Sequence, residues 1–343
     1  MNITFLIGNG FDINLGLKTR YADFYKYYME HDPNDIISKS ISKDYELWAD
    51  LEIGLGAFLE KIDEPQIKEF LDSKRNLEKL LSEYLTLQNQ RVSLPEESAI
   101  AEEFKKKITG FFNDFNSSDK EDYRKTISNI HEIISYSFIT FNYTDVLDKI
   151  IFATQQKCKP FSSHTSGGMG YHDIIKTAHH VHGKLTEDLI LGLDNKDQIL
   201  NEKLKNNPRL TNYIIKSTVN KALGERKTEI AKDIIDKSRY ICLFGLSIGD
   251  TDSLWWSYII HWLGKSSENR LVLFVNENTM VQLSGQEKIR FRDDKRSNML
   301  ARSKCTDPKI MESVQDKIIV VPNSKIFTFE NIVVGDEKSS ANG

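Results

Sequence analysis

Apolar positions along this chain follow two periods. Short unbroken runs of β-prone residues predict strands, and stripes at i, i+3, i+4, i+7 predict helices. The first run, Ile3 to Ile7, stops at Gly8-Asn9-Gly10, and a short polar and apolar mixture leads to Gly16. That pattern predicts a strand, a glycine turn and a short helix. In open α/β sheets such a junction lies at the carboxyl end of the strand, where ligands bind. Two glycines let the backbone approach a phosphate, and a helix N-terminus offers it N–H groups. A tight turn with no ligand would use the same glycines, so this stretch alone decides nothing.

Helical periodicity dominates from Thr19 to Ile134. Thr19 is placed to cap a helix with Asp23 in its first turn, and Tyr21, Phe24, Tyr25 and Tyr28 form its stripe. Those rings read as core before they read as a base-stacking platform. Leu47, Trp48, Leu51, Leu55, Phe58 and Leu59 keep helical spacing, as do Leu77, Leu80, Leu81 and Tyr84. Ser93 to Glu96 is a capping-box start for a helix running from Ile100 to Phe115, with a break at Ser117-Ser118. Tyr123, Ile127, Ile130, Ile133 and Ile134 make one more stripe. This stretch is too long for one crossover and predicts a helical insertion over about residues 20–136.

Strand signals then resume. Ser137 to Tyr143 is the second clear strand and ends in Asn142-Tyr143-Thr144-Asp145. Val146 to Phe152 reads as helix and 159–172 as loop. His179-His180-Val181-His182-Gly183 precedes a short strand at Leu189 to Gly192, and 195–237 is polar and mostly helical around Pro208. Arg239 to Ile248 is a continuous apolar run, as in a parallel strand buried on both faces. It enters Gly249-Asp250-Thr251-Asp252 and a helix bearing Leu254, Trp255, Tyr258, Ile259 and Trp262. Leu271 to Val275 is another buried strand, ending at Asn276, and 318–321 and 326–329 are short ones. The expected architecture is α/β, one domain over 1–335 with a polar tail at 336–343.

Composition narrows the classes. The chain has 343 residues, 39% of them hydrophobic and 28% charged, with a net charge of −4. That balance does not indicate a nucleic-acid or membrane-surface binder. Cys158, Cys242 and Cys305 are too few and too scattered for a four-cysteine zinc site or a disulfide framework. The spacing of His164, His172, His179, His180 and His182 matches no common zinc pattern, so no metal is expected. No run approaches the ~20 apolar residues of a membrane span, and the first residues lack a basic signal-peptide region. A cytoplasmic protein is expected.

Strand ends carry the candidate chemistry. Gly8-Asn9-Gly10, Asn142 to Asp145, Gly245 to Asp252 and Asn276 would share one edge of a parallel sheet and line a crevice with His182-Gly183. Plainer roles exist for each. His182 could be a hydrogen-bonded loop residue, Asn142 a turn cap, Asp250 a helix N-cap, and Trp48 with Glu52 a packing pair. Asp250 with Asp252 could also hold magnesium, as in a nuclease.

In their order, GNGFDINLGL, TFNYTD, HVHG and GLSIGDTD resemble the motifs of the sirtuin-like NAD-binding superfamily. IGNGFDINLGLKTRYADFYKYY and the W-x-D-L-E of Trp48 to Glu52 resemble, more closely, the AbiH family of bacterial abortive-infection proteins. The resemblance runs from about Met1 to Val275. It implies a sirtuin-like, Rossmann-type parallel sheet with a large helical insertion, built around an NAD pocket. Gly8, Asn9 and Gly10 would cradle the pyrophosphate, and Asp12 and Thr140 would belong to the same cofactor-binding set. Asn142 would hold the nicotinamide ribose or a water, and His182 would be the general base. Ser247 would contact phosphates, with Asp250 and Asn276 toward the adenine. Thr144 stands where the pattern has Asp, and Lys18 where it has Pro. The zinc cysteines of protein-deacylating sirtuins are absent, which favours NAD hydrolysis over deacylation. The implied function is an anti-phage effector, an NADase releasing nicotinamide and ADP-ribose, open to a phage-derived trigger and to self-association. A nucleotide-binding sensor without turnover and a metal-dependent nuclease are the alternatives.

Overall fold

A computed structural model describes residues 1–187, 189–249, 252–276 and 283–336. Its strands are β1 (Asn2–Ile7), β2 (Val92–Ser93), β3 (Ser135–Thr140), β4 (Ser162–Ser166), β5 (Met169–His180), β6 (Ser238–Phe244), β7 (Arg270–Val275), β8 (Ile318–Pro322) and β9 (Val333–Val334). Seven of them form one sheet in the order β4-β5-β3-β1-β6-β7-β8, and β2 pairs with β9 apart from it. Only β4 is antiparallel within the large sheet. The parallel strands therefore run outward from β1 in both directions, as in a doubly wound sheet. The chain switches sides between β1 and β6, which opens a crevice at their carboxyl ends.

Residue alternation explains why both faces are covered. Ile3, Phe5 and Ile7 point to one side with Phe138, Cys242 and Val272, packed under the helices Glu97–Thr109 and Val146–Lys157. Leu6, Ile139, Ile241, Leu243 and Leu271 point to the other, under the helices Lys227–Asp236 and Ser253–Lys265. Strands buried on two faces have no polar side to show, hence their unbroken apolar runs.

A third core lies over the crevice. Phe24, Tyr25 and Tyr28 pack there with Trp48, Leu51, Leu55 and Leu77, joined by Leu191, Leu193, Leu210 and Ile214 from much later in the chain. The helical layer thus consists of residues 21–90 together with 189–215. The helices at 97–128 pack on the sheet instead, so the stretch 20–136 is not a single unit.

Several boundaries differ from the sequence pattern for local reasons. Arg20, not Thr19, is the N-cap of Tyr21–His31; the Thr19 hydroxyl is bound to Asn9 Oδ1, and Asn9 Nδ2 donates back to the Thr19 carbonyl at 2.8 Å. Asp50 interrupts the Leu47 stripe, because its carboxylate caps Leu51–Glu60 through Glu52 N at 2.9 Å and Ile53 N at 3.2 Å. The expected loop at 159–172 is the β4–β5 hairpin, turned at Gly167 and Gly168 with φ of +56° and +79°. Its strands are rich in Ser, His and Asp and bury little, so they lack an apolar period. Neither 189–192 nor 326–329 is a strand; Phe327 instead seats its ring edge-on against Phe5, Phe11 and Phe244. No helix among the described residues is long and apolar enough to cross a membrane.

Candidate functional site

At the carboxyl ends of β1, β3, β5 and β6 lies a cavity of about 480 Å³, within the usual range for small-molecule sites. Gly8, Asn9 and Asp12 enter it from β1, and Phe141 to Thr144 from β3. His182 comes just after β5, and Gly245, Leu246, Ser247 and Asp252 after β6. The helical layer closes the far side with Tyr21, Tyr45, Glu52, Leu81 and Leu85, and Lys216 reaches in from the later segment.

The glycine turn packs more than it offers. Gly8 N donates to Phe244 O at 2.9 Å, Gly10 N to Gly245 O at 2.8 Å, and Phe11 N to Gly8 O at 2.9 Å. A Cβ on Gly10 would lie 2.4 Å from the Gly245 Cα, so the two strand-end turns touch backbone to backbone. Gly245 sits at φ +68°, where glycine is favoured. Two of the amides expected to face a phosphate, those of Gly8 and Gly10, are therefore used inside the protein.

Asp12 takes the place of an anion at this turn. It is 2% exposed, and its Oδ2 accepts from the Thr144 hydroxyl at 2.7 Å, while its Oδ1 is buried with no hydrogen-bond partner among the described residues. Burial raises its pKa to about 6, against the pull of Thr144, Asn142 and the His180 charge. Thr144 thus holds a carboxylate that comes from the short helix Gly10–Asn14 after β1. Asn142 is 8% exposed, its Oδ1 buried with no hydrogen-bond partner among the described residues and its main-chain N–H bound to Thr140 Oγ1 at 3.1 Å.

His182 is the second titratable group on the wall. Burial, and then the Lys216 cation, push its pKa well below the ordinary value, so its imidazole is neutral near pH 7. Among the described residues its ring makes no side-chain hydrogen bond. It rests edge-on to Phe141 at 5.4 Å and tilted against Tyr143 at 6.4 Å. A neutral, uncommitted imidazole is the form that can accept a proton.

Lys216 anchors a buried ionic cluster. Its ammonium contacts Glu52 Oε1 directly and Asp194 Oδ1 at 3.0 Å, and carboxylate oxygens of Glu52, Asp194 and Asp252 lie within 4.8 Å of one another. Burial raises the pKa of Asp252 to about 6 and that of Glu52 as well, whereas the surrounding carboxylates keep Lys216 charged. The cluster joins the helical layer, through Glu52, to the β6 loop, through Asp252.

Of the residues singled out from sequence, Gly8, Asn9, Asp12, Asn142, His182 and Ser247 line the cavity. Gly10 is spent in packing, and Thr140 lies beneath the cavity as the acceptor for Asn142. Asn276 is exposed at the end of β7 and does not line it. Asp250 lies outside the described residues. The histidines do not gather: His164 pairs with Asp173 and His172 with Ser163. Sequence reasoning missed Lys216 and Asp194, single charges after the apolar runs Tyr213 to Ile215 and Leu191 to Leu193 with no motif to mark them. Glu52 had the W-x-D-L-E signal, and the Trp48 of that motif is fully buried.

Asp12 carries a testable stability cost. An acid whose folded pKa rises from 3.8 to about 6 stabilises the fold below pH 4 and loses that stabilisation as pH climbs to 6. Asp12→Asn is expected to raise thermal stability at pH 8, by up to about 3 kcal/mol, with the gain fading toward pH 4. Calorimetry of the two proteins across that range checks it.

A family model described as bacteriophage abortive infection AbiH matches residues 4–274. That span is most of the 343-residue chain, and the chain belongs to the AbiH family, a family of phage abortive infection. No curated protein and no solved structure matches significantly.

Proposed function

We propose that this AbiH-family chain acts as an abortive-infection effector by hydrolysing NAD to nicotinamide and ADP-ribose. One observation carries the reading: a neutral His182, a buried Asn142 and the Asp12 carboxyl meet in one ligand-sized cavity. It opens at the switch point of a sheet ordered like dinucleotide-binding sheets.

Cleaving the bond between nicotinamide and C1′ releases neutral nicotinamide and leaves an oxocarbenium-like carbon. Water adds there and gives up one proton. Asp12, as a carboxylate, supplies negative charge to the developing cation. His182 takes the water's proton, and Asn142 orients the water or a ribose hydroxyl. The helical layer limits entry of bulk water. Ser247 and Arg20, an exposed cation at the mouth with no ion pair among the described residues, are the groups offered to the phosphates. This is a sirtuin-like use of the crevice, with the pyrophosphate held at its rim rather than on Gly8 and Gly10.

Turnover should depend on pH. Asp12 must be ionised and His182 neutral, so kcat/KM should climb as pH rises through about 6 and level off above it. In Asp12→Asn that limb should disappear along with most of the activity. The direct test incubates pure protein with NAD and follows free nicotinamide, beside His182→Ala and Asn142→Ala, with and without extract from phage-infected cells. Release that is equal in wild type and both variants would refute hydrolysis at this site. Thermal stabilisation by NAD with all the ligand recovered intact would point to a sensor. The nuclease reading ranks behind, because the clustered carboxylates Glu52, Asp194 and Asp252 already have Lys216 as their counter-ion.

A further inference from the structure

We propose that His180 and Asp148 form a charged positioning pair behind the site, in which the His180 ring, protonated on both nitrogens, holds the Asn142 main-chain carbonyl and places a positive charge beside Asp12. The catalytic consequence rests on the hydrolytic reading above; the charge state of the pair does not.

Hydrogen-bond inventory carries the inference. His180 ends β5 and is 5% exposed. Its Nδ1 lies 2.9 Å from the Asn142 carbonyl oxygen, and its Nε2 lies 2.7 Å from Asp148 Oδ2 on the helix Val146–Lys157. A carbonyl only accepts, so Nδ1 carries a hydrogen. The Asp148 side chain keeps 27% of its surface exposed, which favours the ionised form. A carboxylate also only accepts, so Nε2 carries a hydrogen as well. A ring with both hydrogens is an imidazolium, and the contact with Asp148 is what makes such a buried charge tolerable.

Both ends of this pair bear on the site. The carbonyl that His180 holds belongs to the residue whose side chain lines the cavity, so the ring fixes the strand end on which Asn142 sits. Its charge also works against the burial that raises the Asp12 carboxyl. Other charges face the ring. Glu187 feels the same cation and is ion-paired with Lys227 at 3.0 Å. His179, next in the chain, meets the Lys227 carbonyl through Nε2 at 2.7 Å, and burial holds its pKa down. Neither stands between His180 and its two acceptors. Of the two histidines in His180-Val181-His182-Gly183, one therefore faces the cavity and the other supports it from behind.

The test uses the full-length protein labelled with 15N-histidine and 13C-carboxylate. At neutral pH the wild-type His180 ring should show hydrogens on both nitrogens, and in Asp148→Asn on one. Removing a nearby cation disfavours a carboxylate, so His180→Gln should move the Asp12 titration midpoint up by roughly one pH unit. The acid limb of kcat/KM should move with it. Asp148→Asn, which keeps the shape of the pair, should shift the Asp12 midpoint in the same direction and serves if His180→Gln does not fold. A single ring hydrogen on wild-type His180, or an Asp12 midpoint unchanged in these variants, would overturn the proposal. Failure to cleave NAD would sink the hydrolytic reading and leave these two spectroscopic results standing.

Discussion

His182→Ala is expected to cut nicotinamide release by two to four orders of magnitude, the range about 10²–10⁴ typical of losing a general base, while leaving the fold intact. Two features of the residue lead to this. Burial and the Lys216 cation keep the imidazole neutral, so at pH 7 nearly every molecule carries the proton-accepting form. The ring also makes no side-chain hydrogen bond among the described residues, resting edge-on to Phe141 and tilted against Tyr143, so its removal breaks none there. Circular dichroism and thermal unfolding should therefore match the wild type while turnover collapses. A variant that unfolds would show instead that the ring is part of the core. A folded variant with full activity would leave proton transfer to Asp12 alone.

Lys216→Met should produce the largest loss of stability, about 3–5 kcal/mol at neutral pH, since it leaves buried carboxylates without their cation. The loss should depend on pH in a definite sense. Glu52 and Asp252 have raised pKa values, so the variant's acids pick up protons readily as pH falls. Denaturant unfolding should thus show a large gap between wild type and variant at pH 8 and a small one at pH 5. The cluster ties Leu51–Glu60 to the segment after β6, so melting should begin in the helical layer. Removing the cation also relieves His182, whose pKa should climb toward its ordinary value.

How far the sequence discloses this structure depends on what each residue touches. β1, β3, β6 and β7 are legible because strands buried on both faces must be apolar throughout. β4 and β5 are not, because their Ser, His and Asp residues satisfy one another and leave no stripe, as in Ser162 with Asp173 and His164 with Asp173. Helical stripes disclose that a face is buried but not against what. Phe24 and Tyr25 give no hint that Leu191, Leu210 and Ile214 complete their core. At the site, Asn142, His182 and Ser247 stand out because they punctuate strand ends. The glycine turn misleads, since Gly10 is small in order to touch Gly245 and not to admit a phosphate. Asp12 is legible as a member of the set but not as its buried acid, a property set by burial in the pocket, which outweighs the Thr144 hydrogen bond. Lys216 and Asp194 depend wholly on the tertiary meeting of distant loops.

The central claim is that this crevice destroys NAD during infection. The most direct measurement is the NAD content of cells expressing the protein, before and after phage infection, with wild type beside His182→Ala. NAD should fall together with growth in the wild type and hold steady in the variant. Growth arrest in the wild type with NAD unchanged would rule out NAD hydrolysis as the effector activity.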